Sequence, residues 1–200
     1  MKNSPIHIFN QQKKDILKKT DRSIQGKIDE DIREVVEIIN HMPDYFTTSS
    51  CAGRIILIQL TQSRKKNEAR RLFISHDPIK TEGLLDAIPS DIANPIWFMQ
   101  ESMILHICCR HLNAAQKMLK LCHTAGIKRV GITSLSPKIC IEAFGTARME
   151  TIIARVGKIE TSVDYLKVLT ESANKKLEKN KEIIQKFTLL LEKQSKDPNN

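Results

Sequence analysis

The feature that most constrains this chain lies near its C-terminus. From about 161 to 193, Leu166, Leu169, Ala173, Leu177, Ile184, Phe187 and Leu191 recur at spacings of three, four and seven. That period puts them on one stripe of a long α-helix, and the remaining faces mix lysine with glutamate as a solvated surface does. Such a stripe must be covered along its length. A partner helix could cover it, but packing across the chain's own domain is expected, with 1–194 read as one domain and 195–200 as a disordered tail.

The rest of the chain alternates short elements. Residues 1–20 carry a weak apolar stripe of Phe9, Ile16 and Leu17, which predicts a short docked helix. A second helix is expected from Asp29, which can cap it, to about Asn40. Glu30 and Asp31 suit its positive end, and Ile32, Val35, Val36 and Ile39 mark its buried face. Asp29 could instead serve a ligand.

After the turn Met42-Pro43-Asp44 comes Thr47-Thr48-Ser49-Ser50-Cys51-Ala52-Gly53-Arg54, then Ile55 to Ile58, which reads as a buried strand. The octet offers hydroxyls, backbone N–H groups, a glycine that tolerates positive φ and a guanidinium fork suited to carboxylate or phosphate. It also reads as a capped turn whose hydroxyls bond their own backbone.

The segment Arg64, Lys65, Lys66, Arg70 and Arg71 looks like a hairpin tip, either solvated or touching phosphates. Strands are expected at Leu72–Ile74 and from Trp97, with a short helix around Leu84 and Leu85 between them. In Ile104 to Arg110, strand alternation puts Leu105, Ile107 and Cys109 on one face. Ile104, His106, Cys108 and Arg110 share the other. A helix from Leu112 to Ala125 follows, with Leu112, Ala115, Leu119 and Cys122 inward and Gly126 ending it. The strand Val130–Thr133 completes a strand–helix–strand unit, which predicts a parallel pair. Ile139–Ile141 and Thr151–Ala154 are further strands.

Composition narrows the partners. Thirty-two Lys and Arg against 23 acids give a net charge of +9, which favours a polyanion such as RNA or DNA. Five cysteines without a Cys-x-x-Cys pair, and no visible secretory leader, predict reduced thiols and a cytoplasmic protein. No metal is expected, because the histidines lack zinc-ligand spacing. No apolar run approaches the roughly 18 residues of a membrane helix. No Gly-x-Gly occurs, so the nucleotide loop of a doubly wound fold is missing.

Read together, the motifs carry a resemblance. Tyr45 to Arg54, YFTTSSCAGR, resembles the signature of the tRNA wybutosine-synthesizing protein 3 family. Upstream the agreement includes Asp21, Ser23, Gly26, Asp29, Glu30 and Asn40. Downstream it includes Ile104-Leu105-His106-Ile107, Cys109, Arg110, Ala115-Gln116 and Gly131-Ile132-Thr133. It ends with Asn174, Glu178 and Asn180-Lys181. Ser102 stands where such proteins often carry proline, and the turn Leu135–Lys138 is short. The compact length resembles archaeal members.

The resemblance implies an S-adenosylmethionine-dependent methyltransferase acting on N4 of a 4-demethylwyosine-type base beside the anticodon of phenylalanine tRNA. The implied fold is α+β and not doubly wound: a mixed, twisted sheet that can curl toward a barrel, flanked by terminal helices. It implies His106 for positioning or proton removal, and Ser49, Ser50, Cys51, Gly53, Arg54, Gly131 and Thr133 around the cofactor, with Arg54 and the Ser49–Gly53 backbone holding an anion that is either the cofactor carboxylate or a tRNA phosphate. Arg110, Lys65, Lys66, Arg70 and Arg71 would meet the RNA backbone. Two rivals remain: a non-catalytic RNA-binding module, and an interaction scaffold built on the long helix.

Overall fold

The chain forms two units, each with its own sheet and core. In this computed structural model, residues 5–18, 28–61 and 69–195 are described. The elements run α1 (Pro5–Leu17), α2 (Glu30–His41), β1 (Tyr45–Cys51), β2 (Arg54–Gln59), β3 (Arg70–Ser75), α3 (Thr81–Ala87) and β4 (Ile96–Glu101). They continue β5 (Ile104–Cys109), α4 (Leu112–Ala125), β6 (Arg129–Ser134), β7 (Ile139–Phe144), β8 (Met149–Arg155), β9 (Lys158–Ile159) and α5 (Val163–Ser195).

The first unit draws on Met1–Ala52, Met103–Thr146 and Lys181–Asn200. Its sheet has the order β1-β5-β7-β6, every pair antiparallel. Tyr45, Leu105, Ile107, Cys109, Ile141 and Ala143 form a buried cluster with the stripe of α2, with α4 and with Ile184, Phe187 and Leu191 of α5. Phe46 and Cys108 on the opposite face lie under Phe9 of α1, with Ile16 and Cys140 packed alongside.

The second unit draws on Gly53–Ser102 and Ala147–Asn180, and its sheet is β3-β2-β4-β8-β9. Ile55, Leu57, Phe98 and Ile153 pack with Leu84 of α3 and with Leu166, Leu169, Ala173 and Leu177 of α5. The Asn174 amide clamps the chain before α3. Its Oδ1 accepts from Ile79 N–H at 3.0 Å, and its Nδ2 donates to Ile79 C=O at 2.9 Å.

The fold is α+β, but the expectation of a mixed sheet is corrected. The unit β5–α4–β6 exists, and β5 and β6 do run parallel. They are not neighbours, because β7 lies between them and is antiparallel to both. Neither sheet closes into a barrel. The octet is strand rather than turn as far as Cys51, and only Ala52 and Gly53 link it to β2. Leu112 is exposed, while Ala114, Met118 and Ala125 join Ala115 and Cys122 on the buried face of α4. Gly126 ends that helix with φ +95°, and all seven apolar residues of the α5 stripe are buried. The long helix runs through Ser195, past the expected boundary, and β9 was not anticipated. Asp21, Ser23, Gly26, Arg64, Lys65, Lys66 and the tail beyond Ser195 lie outside the described residues.

All five cysteines are free thiols. Burial pushes Cys109 and Cys122 from the ordinary thiol value of 9.0 up to about 12. Burial also raises Cys108, with the Cys140 sulfur beside it at 2.9 Å. A thiol whose pKa is higher in the folded state favours folding only while it is protonated. That contribution is whole below pH 9 and is lost as pH rises toward about 12. The denaturation midpoint is therefore expected to fall across that window. The fall should be shallower in Cys109→Ala and Cys122→Ala; an unchanged slope in both would remove these two thiols as its cause.

Candidate active site

The octet is held at Thr47 and at Ala52 by side chains from the two ends of the α2 segment. Near the C-terminal end of α2, Asn40 Oδ1 accepts from Thr47 N–H at 2.8 Å and from Thr47 Oγ1 at 3.2 Å. Just before α2, Asp29 Oδ2 accepts from Ala52 N–H at 2.9 Å. Asp29 occupies the N-cap position but makes no side-chain capping bond, so the expected cap is corrected. These bonds satisfy main-chain donors at the two ends of an edge strand. Between them the register with β5 slips: Thr47 faces Ile107 and Ser49 faces His106, leaving Thr48 as the extra residue of a β-bulge. The other edge strand, β6, slips likewise between Ile132 and Ser134, at Thr133. Bulges of this kind re-aim side chains and are common beside active sites.

Register then builds a row across the sheet. Ser49 faces His106, His106 faces Glu142, and Glu142 faces Gly131. Directly opposed residues share a face, so these four point to one side. His106 Nε2 lies 2.5 Å from Glu142 Oε1, with the two side chains 34% and 28% exposed. A Cβ at Gly131 would meet nothing within 4 Å, so the row ends in open space. The adjoining row of Phe46, Cys108 and Cys140 is closed by α1. On the other side lie Cys51, Ile104, Phe144 and Arg129. Of the octet, Ser49 and Cys51 share the His106 face, whereas Ser50 faces Leu105 on the buried side.

The other expected site residues fall elsewhere. Arg110 is committed within the first unit: Nε pairs with Asp44 at 2.9 Å, and Nη2 donates to Pro43 C=O at 2.7 Å and Asn10 at 3.2 Å. Its guanidinium lies 5.2 Å from the Phe9 ring centre, so it clamps α1 to the start of β1. Thr133 is exposed, with Oγ1 3.4 Å from Cys140 C=O. Gly53 and Arg54 belong to the second unit. Gly53 has φ +98°, and its carbonyl lies 3.1 Å from His76 Nδ1. Arg54 Nε donates to Glu101 Oε2 at 2.5 Å, directly opposite on β4. Arg70 and Arg71 are exposed at the start of β3.

Sequence reasoning missed Glu142 and the role of Asn40. The one signal for Glu142 was a carboxylate interrupting an apolar strand, Ile139–Phe144.

With this geometry in place, comparison with known proteins is decisive. The model of the family described as Methyltransferase TYW3 matches residues 11–193. The chain belongs to that family. The matched span contains both anchors of the octet and the whole Ser49–Gly131 row. A tRNA wybutosine-synthesizing protein 3 homolog from Xenopus laevis is 35% identical over 189 residues, covering 92% of this chain and 75% of the relative. The tRNA(Phe) 7-((3-amino-3-carboxypropyl)-4-demethylwyosine(37)-N(4))-methyltransferase 1 of Pyrococcus abyssi is 33% identical over 181 residues, covering 90% and 93%. The solved structure of the PH1069 protein from Pyrococcus horikoshii superposes with a TM-score of 0.85 at 30% identity, covering 93% of this chain and 97% of that one. Members of this family from an animal and from an archaeon thus resemble the chain about equally.

Proposed function

We propose that this protein transfers a methyl group from S-adenosylmethionine to N4 of a 4-demethylwyosine-type base in phenylalanine tRNA. The observation that carries the reading is the row Ser49–His106–Glu142–Gly131 inside a chain of this methyltransferase family. The residues fit the donor. A sulfonium donor with amino and hydroxyl groups needs polar partners and room beside the reacting nitrogen. Ser49 and Thr133 add hydroxyls, and the space over Gly131 is open. Ser49, Cys51, Gly131 and Thr133 would hold the cofactor, which supplies an activated methyl group when bound.

The chain's own task is then orientation and proton removal. Holding reacting groups in line is worth up to ~7–11 kcal/mol of barrier. His106, held against Glu142 in the open row, takes the ring proton. Arg70 and Arg71 meet phosphates, which agrees with the net charge of +9. A protein of this kind works on RNA in the cytoplasm. Among the described residues no helix is long and apolar enough to cross a membrane.

Titration calorimetry with S-adenosylmethionine is expected to give saturable binding. Incubation with phenylalanine tRNA from a strain lacking the enzyme should add one methyl group to one nucleoside, read by mass spectrometry. Tight tRNA binding without saturable cofactor binding would favour the non-catalytic RNA-binding module instead.

A further inference from the structure

We propose that Glu142 is a positioning residue for His106, fixing the imidazole proton on Nε2 so that Nδ1 presents the lone pair that accepts the substrate proton. The inference rests on the methyl-transfer reading above, and adds to it a residue that no motif marked.

Three observations carry it. Glu142 and His106 face each other directly on neighbouring central strands, so the backbone register itself sets their separation. The contact runs from Nε2 to Oε1 at 2.5 Å. An ionised carboxylate only accepts hydrogen bonds, so the nitrogen facing it carries the proton, in the neutral ring and in the imidazolium alike. Third, the pair is not sealed in the core: both side chains are about one-third exposed. Ser49 and Gly131 flank them with a short hydroxyl and no side chain at all. A pair serving packing alone would fit better among the bulky neighbours of the next row, Phe46 and Cys108, which α1 covers.

The proton balance is simple. As the substrate nitrogen gains its bond to carbon, the S–C bond breaks and its electron pair stays with sulfur. The nitrogen's proton goes to His106 Nδ1. The imidazolium so formed donates through Nε2 to Glu142, which remains ionised throughout. A carboxylate behind an imidazole is the arrangement by which many enzymes orient a histidine base.

The test uses Glu142→Gln and Glu142→Asp in the full chain. In the ligand-free protein, the ¹⁵N spectrum of His106 should report the Nε2–H tautomer. Glu142→Gln should mix the tautomers, because an amide can donate as well as accept. Glu142→Asp, which keeps the charge, should restore the signature at least in part. With tRNA substrate, Glu142→Gln should lower kcat about 10- to 100-fold, short of the ~10²–10⁴ that a general base contributes. KM for tRNA should stay within about twofold, since no binding group is removed.

An unchanged tautomer in Glu142→Gln would overturn the proposal and leave an ordinary cross-strand pair. So would a mixed tautomer with undiminished kcat. Failure of the unaltered protein to methylate tRNA, with the tautomer shift intact, would strike at the methyl-transfer reading and not at the pairing.

Discussion

Replacing His106 with alanine is expected to lower methyl transfer to tRNA by roughly 10²–10⁴-fold, the usual contribution of a positioned general base. The loss should fall on kcat, with cofactor affinity nearly unchanged, because the side chain acts on the proton and not on binding. Stability should hardly move. His106 and Glu142 are about one-third exposed, and a polar pair at such a site is worth about 1 kcal/mol or less. The measurement is methyl incorporation into tRNA from a strain lacking the enzyme, alongside calorimetry and thermal melts. Full activity in His106→Ala, or a variant that merely unfolds, would remove His106 from the site.

The second large effect lies in the long helix. Leu177 is 1% exposed and packs in the core of the second unit; Ile184 is 2% exposed and packs in the core of the first. Truncating either to alanine should destabilise the protein by roughly 2–5 kcal/mol, the lost transfer energy plus the cavity left behind. Denaturant unfolding measures it. A loss well under that range, combined with loss of self-association, would revive the reading of α5 as a partner helix. The burial of its whole apolar stripe within the chain's own two cores is the reason to expect the larger value.

Much of this molecule was legible from its residues. Ile32, Val35, Val36 and Ile39 announce the buried face of α2. The α5 stripe announces a helix that must be covered, and Gly126 marks the end of α4. Alternation in Ile104–Arg110 correctly separates the core side of β5 from the His106 side. These signals are local: helical and strand periods are imprinted wherever one side of an element faces a core. The octet was legible as special, but not as strand, because its run of small hydroxylated residues looks locally like a turn. Its strand form comes from pairing with β5, and Asn40 and Asp29 hold Thr47 and Ala52 from 7 and 23 residues away.

What the sequence by itself determined was therefore most of the elements, most of their buried faces and the family, and it singled out the octet and His106 as candidates. Only the tertiary structure decided which strands are neighbours. It inserted β7 between β5 and β6, turning an expected parallel pair into an antiparallel sheet. It spent Arg110 on clamping α1 and Arg54 on Glu101, where fork-shaped side chains had suggested ligands. It also put Glu142 against His106 across 36 residues of chain. The physical reason is that a side chain's period is set by its immediate neighbours. Its partner is set by strand register, which depends on how distant segments close on one another and leaves no periodic trace in the sequence.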